Sequence, residues 1–216
     1  MVIEWSSQTG TQRRCNHDSA ACFVGDRHMA AIVVDAAEKG SQGQAFSCYW
    51  SQEVLALLKA NCAQLQDPDL VISCLKAVHS TLRKTFLKEV ASYSIVIIDR
   101  ESRNGFLITA GDCRVRINET WLNEPHRLSA FLPQRHEQTS STLTRSLKVR
   151  RFSQPDVIPF VWSPEDRLML CSDGFWECEG TTSLREDDCS FLLLTESLQP
   201  LAITSRSDTE NFFCLS

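Results

Sequence analysis

The segment Leu168-Met169-Leu170-Cys171-Ser172-Asp173-Gly174 carries an apolar run directly into an aspartate. Four apolar residues in a row are typical of a buried β-strand. A carboxylate at the end of such a strand is costly unless a positive group meets it. The segment therefore predicts a strand-rich core with an acidic site at the strand ends.

Two further aspartates stand in the same relation to apolar runs. Asp35 closes the run Ile32-Val33-Val34, and Asp187 opens the stretch 187–194, which ends in Phe191-Leu192-Leu193-Leu194. Carboxylates held by rigid strands would form a cage for hard divalent cations. The three aspartates predict a metal-dependent hydrolase, and a phosphatase in particular.

The order of the elements predicts an α+β domain. A strand pair, Ala20–Val24 and His28–Val34, precedes two helices, one over Ala45–Ala63 and one that begins at Asp67-Pro68, a cap followed by proline. Strands follow, with a hairpin turn predicted at Asn104-Gly105; they are Tyr93–Ile98, Phe106–Ala110, Val115–Ile117, Val157–Val161, Arg167–Cys171, Cys189–Thr195 and Asn211–Leu215. Residues 123–156 are polar and predicted to be irregular. No linker divides residues 1–216, so we expect a single layered domain.

Composition excludes several classes of protein. The net charge of −5 argues against a nucleic-acid partner, and the local basic cluster 145–151 is expected to be a solvated loop. No apolar stretch reaches the ~18 residues of a membrane span, and no signal peptide is found. The ten cysteines show no Cys-x-x-Cys spacing, which favours free thiols. We expect a cytoplasmic monomer that contacts neither nucleic acid nor membrane.

Other phosphatase chemistries fit the sequence poorly. No Cys-x5-Arg phosphate cradle occurs in the chain. Asp67-Pro68-Asp69 matches the nucleophile motif of haloacid-dehalogenase-like phosphatases, but it lacks a preceding buried strand and is better explained as a helix cap.

Six segments, taken in order, resemble the motifs of the metal-dependent type 2C serine/threonine protein phosphatases. Each is weak alone, and the ordered set is fairly specific. They are Arg13-Arg14-Cys15-Asn16-His17-Asp18, Val34-Asp35-Ala36-Ala37-Glu38-Lys39-Gly40, Gly111-Asp112-Cys113-Arg114, Leu143-Thr144-Arg145-Ser146-Leu147, Ser172-Asp173-Gly174-Phe175-Trp176 and Asp187-Asp188-Cys189-Ser190.

The resemblance implies a four-layer α/β/β/α sandwich of two antiparallel sheets flanked by helices. It also implies two Mn²⁺ or Mg²⁺ ions at one end of the sandwich. Asp35 would bridge both ions, Asp173 and Asp187 would each bind one of them, and the carbonyl of Ala36 would ligate the second ion.

The resemblance also implies roles around the ions. Arg13 would hold the substrate phosphate, and Asp18 would orient metal-bound water. Asp112 occupies the position that the family uses to support an extra, third ion; from the residues alone, it could equally pair with Arg114.

The implied activity is hydrolysis of phosphoserine and phosphothreonine in proteins by water that the two metals activate. The implied partners are a phosphorylated protein and a serine/threonine kinase whose action is reversed. Departures from the motifs leave an alternative open: Ala36 replaces a glycine and Glu38-Lys39 replaces a Gly-Gly pair. An alanine that needed a positive φ angle would cost about 1 kcal/mol. The alternative is a pseudo-phosphatase that binds a phosphoprotein or kinase without turnover.

The closing motif is also ambiguous. Residues 175–186 are too few for the helices that usually precede it. Glu210-Asn211 before the final strand has the same acid-Asn shape as Asp187-Asp188. We favour Asp187 because Ser190 keeps the motif's hydroxyl, and Glu210 remains the competitor.

Overall fold

The computed structural model describes residues 1–130, 142–178 and 186–215. Its strands are β1 Val2–Gln8, β2 Asp18–Val24, β3 His28–Ala36, β4 Val90–Asp99, β5 Asn104–Ala110, β6 Arg114–Ile117, β7 Thr120–Trp121, β8 Leu147–Lys148, β9 Asp156–Val161, β10 Arg167–Cys171, β11 Cys189–Thr195, β12 Ala202–Ser207 and β13 Phe212–Cys214. Its helices are α1 Gly43–Ala60, α2 Pro68–Thr81 and the short α3 Asp173–Trp176.

The strands form two sheets. The first has the order β12-β1-β11-β10-β6-β7, and the second has the order β13-β2-β3-β4-β5-β9, with β8 beside β4. Two packed sheets with flanking helices are as predicted. The sheets are mixed rather than purely antiparallel, because β1 pairs with β12 and β2 pairs with β13 in parallel.

The strand β3 is buried on both faces and so carries the unbroken apolar run that the sequence displays. Ala30, Ile32 and Val34 join the core under the helices. The alternate residues Ala31 and Val33 join the core between the sheets. Because side chains alternate along a strand, Asp35 lies on the face toward the other sheet.

Helices α1 and α2 pack on the outer face of the second sheet. Asp67 caps α2 as predicted, since its side chain accepts a hydrogen bond from the Asp69 amide at 2.9 Å. Among the described residues, the first sheet carries only the short helix α3, next to β11. In the described ranges this helix has a single turn, in agreement with the few residues between Gly174 and Asp187.

Sequence patterns missed four of the described strands and misplaced one turn. The strands not predicted are β1, β7, β8 and β12, although Ile3, Trp5 and Ser7 of β1 are buried in alternation. The hairpin turn lies at residues 100–103, where Arg103 has a φ angle of 65° and Asp99 accepts two amide hydrogen bonds. Asn104-Gly105 belongs to β5 instead.

The segment 123–156, predicted to be irregular, contains the short strand β8. Residues 131–141 of this segment lie outside the described residues, as do residues 179–185. Within the described ranges, no helix has the length and apolarity that crossing a membrane requires.

Candidate metal and phosphate site

The site lies at one end of the two sheets, where polar side chains replace the apolar core between them. Asp18, Asp35 and Ser92 are neighbours across three adjacent strands, since Asp18 pairs with Asp35 and Asp35 pairs with Ser92. All three share the face that points to the other sheet. The strand ends of both sheets therefore present polar side chains to one another at one end of the sandwich.

Three carboxylates meet there. Oxygens of Asp35, Asp112 and Asp173 all lie within 4.8 Å of one another. Burial, and then the charge of Asp173, raises the pKa of Asp35 well above its ordinary value. Burial, and then the charge of Asp112, raises the pKa of Asp173 to about 7. Such crowding of acids is costly in the absence of cations.

Asp112 is held by a serine and an arginine. Ser92 Oγ donates a hydrogen bond to Asp112 Oδ1 at 2.6 Å, and Arg127 Nε donates to Oδ2 at 2.8 Å. The arginine that pairs with Asp112 is therefore Arg127 and not Arg114. The Arg114 guanidinium instead stacks on Trp121 at 4.1 Å and on Trp176 at 5.3 Å.

Asp173 is the first residue of α3, and close packing explains why glycine follows it. A Cβ atom at Gly174 would lie 2.1 Å from the carbonyl oxygen of Asp188. Only glycine lets the two loops of the first sheet approach this closely. Asp188 is buried and accepts hydrogen bonds from the amides of Gly10 at 2.9 Å and His17 at 2.7 Å. The Asp187-Asp188 loop thus fixes both α3 and the chain segment before β2.

Arg13 and Asp187 form a two-point ion pair. Arg13 Nε donates to Asp187 Oδ1 and Nη2 donates to Oδ2, both at 2.7 Å, while Nη1 donates to Glu38 at 2.7 Å. Asp187 is the first cause of the raised pKa of Arg13. Arg13 thus faces the site, with its guanidinium engaged by two carboxylates. Sequence reasoning treated Glu38 only as a missing glycine and overlooked its contact with Arg13.

Asp18 lies beneath the cluster in a polar network. Ser172 Oγ donates to Asp18 Oδ2 at 2.8 Å, whereas no described residue bonds Oδ1. Burial raises the pKa of Asp18 well above its ordinary value. Asn211 donates to the backbone carbonyl of Asp18 at 2.9 Å and accepts from Trp5 Nε1 at 3.0 Å.

The network also gives a structural role to the second acid-Asn pattern. Asn211 is fully buried and ties β13 to β2, which explains the acid-Asn pattern at Glu210-Asn211 structurally. Glu210 is exposed, and Asp187 lines the acidic cavity. Asp187, the favoured candidate, thus lines the cavity that Asp35 and Asp173 also line, and Glu210 does not.

Ala36 continues β3 without strain. Among the described residues other than glycine, only Arg103 and Asn118 have positive φ angles. The cost expected for alanine at a glycine position therefore does not arise. Ala36 is buried and lies on the cavity wall beside Asp35.

The cavity has a volume of about 260 Å³ and is lined by residues that include Arg13, Asp35, Ala36, Asp112, Asp173 and Asp187. An adjoining cleft of about 460 Å³ shares Arg13, Glu38 and Asp187 with it. The donor set is entirely oxygen, which suits Mg²⁺ and Mn²⁺. The unpartnered Oδ1 of Asp18 and the absence of any described cation within ion-pairing distance of Asp35 also fit a cation here. All seven residues predicted from the motifs are therefore at or directly beneath one cavity.

The fold is that of PPM serine/threonine phosphatases. The chain superposes on the PPM phosphatase MsPP from Mycobacterium smegmatis, solved with cacodylate, with a TM-score of 0.71 and 16% identity over 90% of this chain and 98% of that chain. Its TM-score with serine/threonine phosphatase Stp1 from Staphylococcus aureus is 0.74, at 15% identity over 90% and 94% of the two chains. For RsbX, solved with magnesium, the TM-score is 0.60 at 14% identity over 88% and 92%. No protein-family model matches the sequence, and no curated protein matches it.

Proposed function

We propose that the protein is a metal-dependent phosphatase that hydrolyses phosphoserine and phosphothreonine in proteins. The observation that carries the proposal is the meeting of the Asp35, Asp112 and Asp173 carboxylates within 4.8 Å in a cavity that Arg13 also lines. The fold shared with PPM phosphatases supports the same reaction class. We propose a phosphoprotein as the substrate, a serine/threonine kinase as the opposing enzyme, and action as a cytoplasmic monomer.

Asp35, Asp173, Asp187 and the carbonyl of Ala36 would hold two divalent cations, Mn²⁺ or Mg²⁺. Bound there, the ions would supply activated water and offset charge on the phosphoryl oxygens. Asp18 is the cross-strand neighbour of Asp35 and has one oxygen without a hydrogen-bond partner. This oxygen would orient a water molecule by accepting a hydrogen bond from it.

Arg13 would bind the phosphate by exchanging partners. The Arg13 guanidinium donates one hydrogen bond to each carboxylate oxygen of Asp187, and two oxygens of a phosphate could accept the same pair of hydrogen bonds. Cation binding to Asp187 would release Arg13 to the substrate. The adjoining cleft, which shares Arg13 and Asp187, offers the room for a peptide.

The test is Mn²⁺-dependent hydrolysis of a phosphothreonine peptide. We expect a chelator to stop the reaction and thiol alkylation to leave it unchanged. Asp35→Ala should abolish both turnover and Mn²⁺ occupancy. The matched control is Asp26→Ala, which changes an exposed aspartate in the turn at the far end of β2 and β3. Turnover that survives chelation, or full Mn²⁺ binding by Asp35→Ala, would overturn the proposal.

A second candidate, a pseudo-phosphatase that binds phosphoproteins, is favoured by one observation. Arg13 is engaged by both Asp187 and Glu38, and Glu38 stands where the motif has glycine. The Glu38 carboxylate competes with phosphate for the same guanidinium. Saturable binding of the phosphopeptide with two Mn²⁺ bound and no hydrolysis would identify this function.

A further inference from the structure

Arg127, which no motif singled out, reaches into the acidic cluster. Its Nη2 lies 2.7 Å from Asp112 Oδ2 and 2.6 Å from Asp173 Oδ2, and its Nε donates to Asp112 Oδ2 at 2.8 Å. Its Nη1 pairs with Glu177. The side chain is 7% exposed. A single guanidinium therefore bridges two of the three clustered carboxylates from within the core.

The scaffold holds Arg127 in this place. The His126 amide donates to the Gly111 carbonyl at 2.9 Å, and the Gly111 amide donates to His126 Nδ1 at 3.0 Å, so the segment is tied to the loop that carries Asp112. On the other side, the Leu128 amide donates to the Thr142 carbonyl at 2.8 Å. The guanidinium also lies 4.8 Å from the ring of Trp176, whose Nε1 donates to the Asp112 carbonyl at 2.9 Å.

The charges decide what this arrangement does. Asp112 and Asp173 would repel each other without a cation between them, and Arg127 supplies one that is part of the chain. Asp35 has no such partner among the described residues and remains open to the cavity. The cluster is thus divided into a side closed by Arg127 and a side open to ions.

We propose that Arg127 is an internal cation that occupies the place between Asp112 and Asp173 where a third divalent ion would bind, so that the site takes no more than two ions. This inference rests on the proposed function, because it presumes ions at the open side. Arg127 is a positioning residue: it fixes Asp112 and Asp173 and sets the number of ions bound.

The test counts bound Mn²⁺ by the electron paramagnetic resonance signal of the free ion during titration. We expect Arg127→Gln to bind one Mn²⁺ more than the wild-type chain. The Kd of this added ion should be lower by at least about tenfold than the Kd of any additional ion that the wild type binds weakly. The matched control is Arg114→Gln, because Arg114 also stacks on Trp176 but contacts none of the three carboxylates. This control should bind the wild-type number of ions.

Equal numbers and affinities in Arg127→Gln and the wild type, or three ions in the wild type, would overturn the proposal while leaving the phosphatase function standing. Ions bound by Arg127→Gln but none by the wild type would reject both the metal-dependent activity and the proposal, because the proposal presumes ions at the open side of the wild-type site. If neither binds Mn²⁺, both proposals fail.

Thermal melting without Mn²⁺ checks that the variant folds. If Arg127→Gln does not fold, Arg127→Met takes its place in the titration under the same criterion, since methionine removes the charge and keeps an apolar side chain of similar length.

Discussion

The carboxylate of Glu38 lies beside the guanidinium that would bind phosphate. It accepts a hydrogen bond from Arg13 Nη1 at 2.7 Å, and it is about half exposed. Such an exposed pair stabilises by only ~0.2–1 kcal/mol. It nevertheless competes directly with any phosphate that approaches Arg13.

Glu38→Gly should therefore lower the Kd for a phosphothreonine peptide, by about twofold to fivefold. The measurement is isothermal titration calorimetry with Mn²⁺ present, and Glu38→Gln should give an intermediate value because it keeps a weaker acceptor. Arg13→Ala should instead weaken peptide binding while leaving the number of Mn²⁺ ions unchanged. Weaker binding by Glu38→Gly would contradict the competition.

Asp187 and Glu210 can be separated by mutation. Asp187→Ala removes a carboxylate from the cavity wall and should weaken Mn²⁺ binding by roughly tenfold to a hundredfold, the range expected for one lost interaction with a charged group. Glu210→Ala should leave Mn²⁺ binding unchanged because Glu210 is exposed. The reverse ranking would show that the final motif lies at 210–211.

At the scale of elements, the loop before β11 determines where Arg13 lies. The Asp188 carboxylate accepts hydrogen bonds from two backbone amides in the segment that precedes β2, and the Asp188 amide donates to Asp187 Oδ1 at 2.8 Å. The loop thus holds the segment between β1 and β2, which carries Arg13, against the strand ends of the first sheet. Gly174 permits this contact because its lack of a side chain lets α3 approach the Asp188 carbonyl.

Asp188→Ala should lower the free energy of unfolding by about 3 kcal/mol, because it leaves two buried amides without their charged acceptor. Urea denaturation measures the change. The control is Asp208→Ala, which removes an exposed acceptor of the Thr9 amide and should have a smaller effect. Equal losses in the two variants would argue against Asp188 as the anchor of this segment.

At the scale of the whole molecule, buried acids make the metal-free protein sensitive to pH. Burial raises the pKa values of Asp18, Asp35 and Asp173. The folded state therefore retains protons that the unfolded chain has already lost, so stability falls as pH rises toward and through the folded-state pKa. The pKa of Asp173, at about 7, places its share of this loss between about pH 4 and pH 7. The lowered pKa values of Asp99, Asp156 and Asp208 act only below their ordinary value of 3.8.

We therefore expect the melting temperature in a chelator to fall between pH 5 and pH 8, and Mn²⁺ to restore it at the upper end. Asp173→Asn should flatten the fall because it removes one of the titrating groups. Differential scanning calorimetry at four pH values provides the measurement. A melting temperature that rises from pH 5 to pH 8 in the chelator would be incompatible with buried acids of raised pKa.

Some elements were predicted from signals that lie within a few residues. The apolar run before Asp35 predicted β3, and Asp67-Pro68 predicted the start of α2, because strand burial and helix capping depend on neighbours in the chain. The pattern of β1 was as local, since Ile3, Trp5 and Ser7 alternate with less buried residues, and it could have been found. The turn was misplaced because Arg103 adopts a positive φ angle that residue type does not indicate.

Apolar runs that end in aspartates were enough to predict carboxylates at strand ends, and the ordered motifs indicated which acids belong together. Which cations face these acids depends on how the two sheets pack. Arg127 meets Asp173 across 46 positions of the chain, and Arg13 meets Asp187 across 174. No local period encodes such pairs, because they arise when two sheets pack and bring their strand ends to one edge. The same packing made Asn211 a structural anchor and left Glu210 in solvent, a distinction that two similar motifs could not supply.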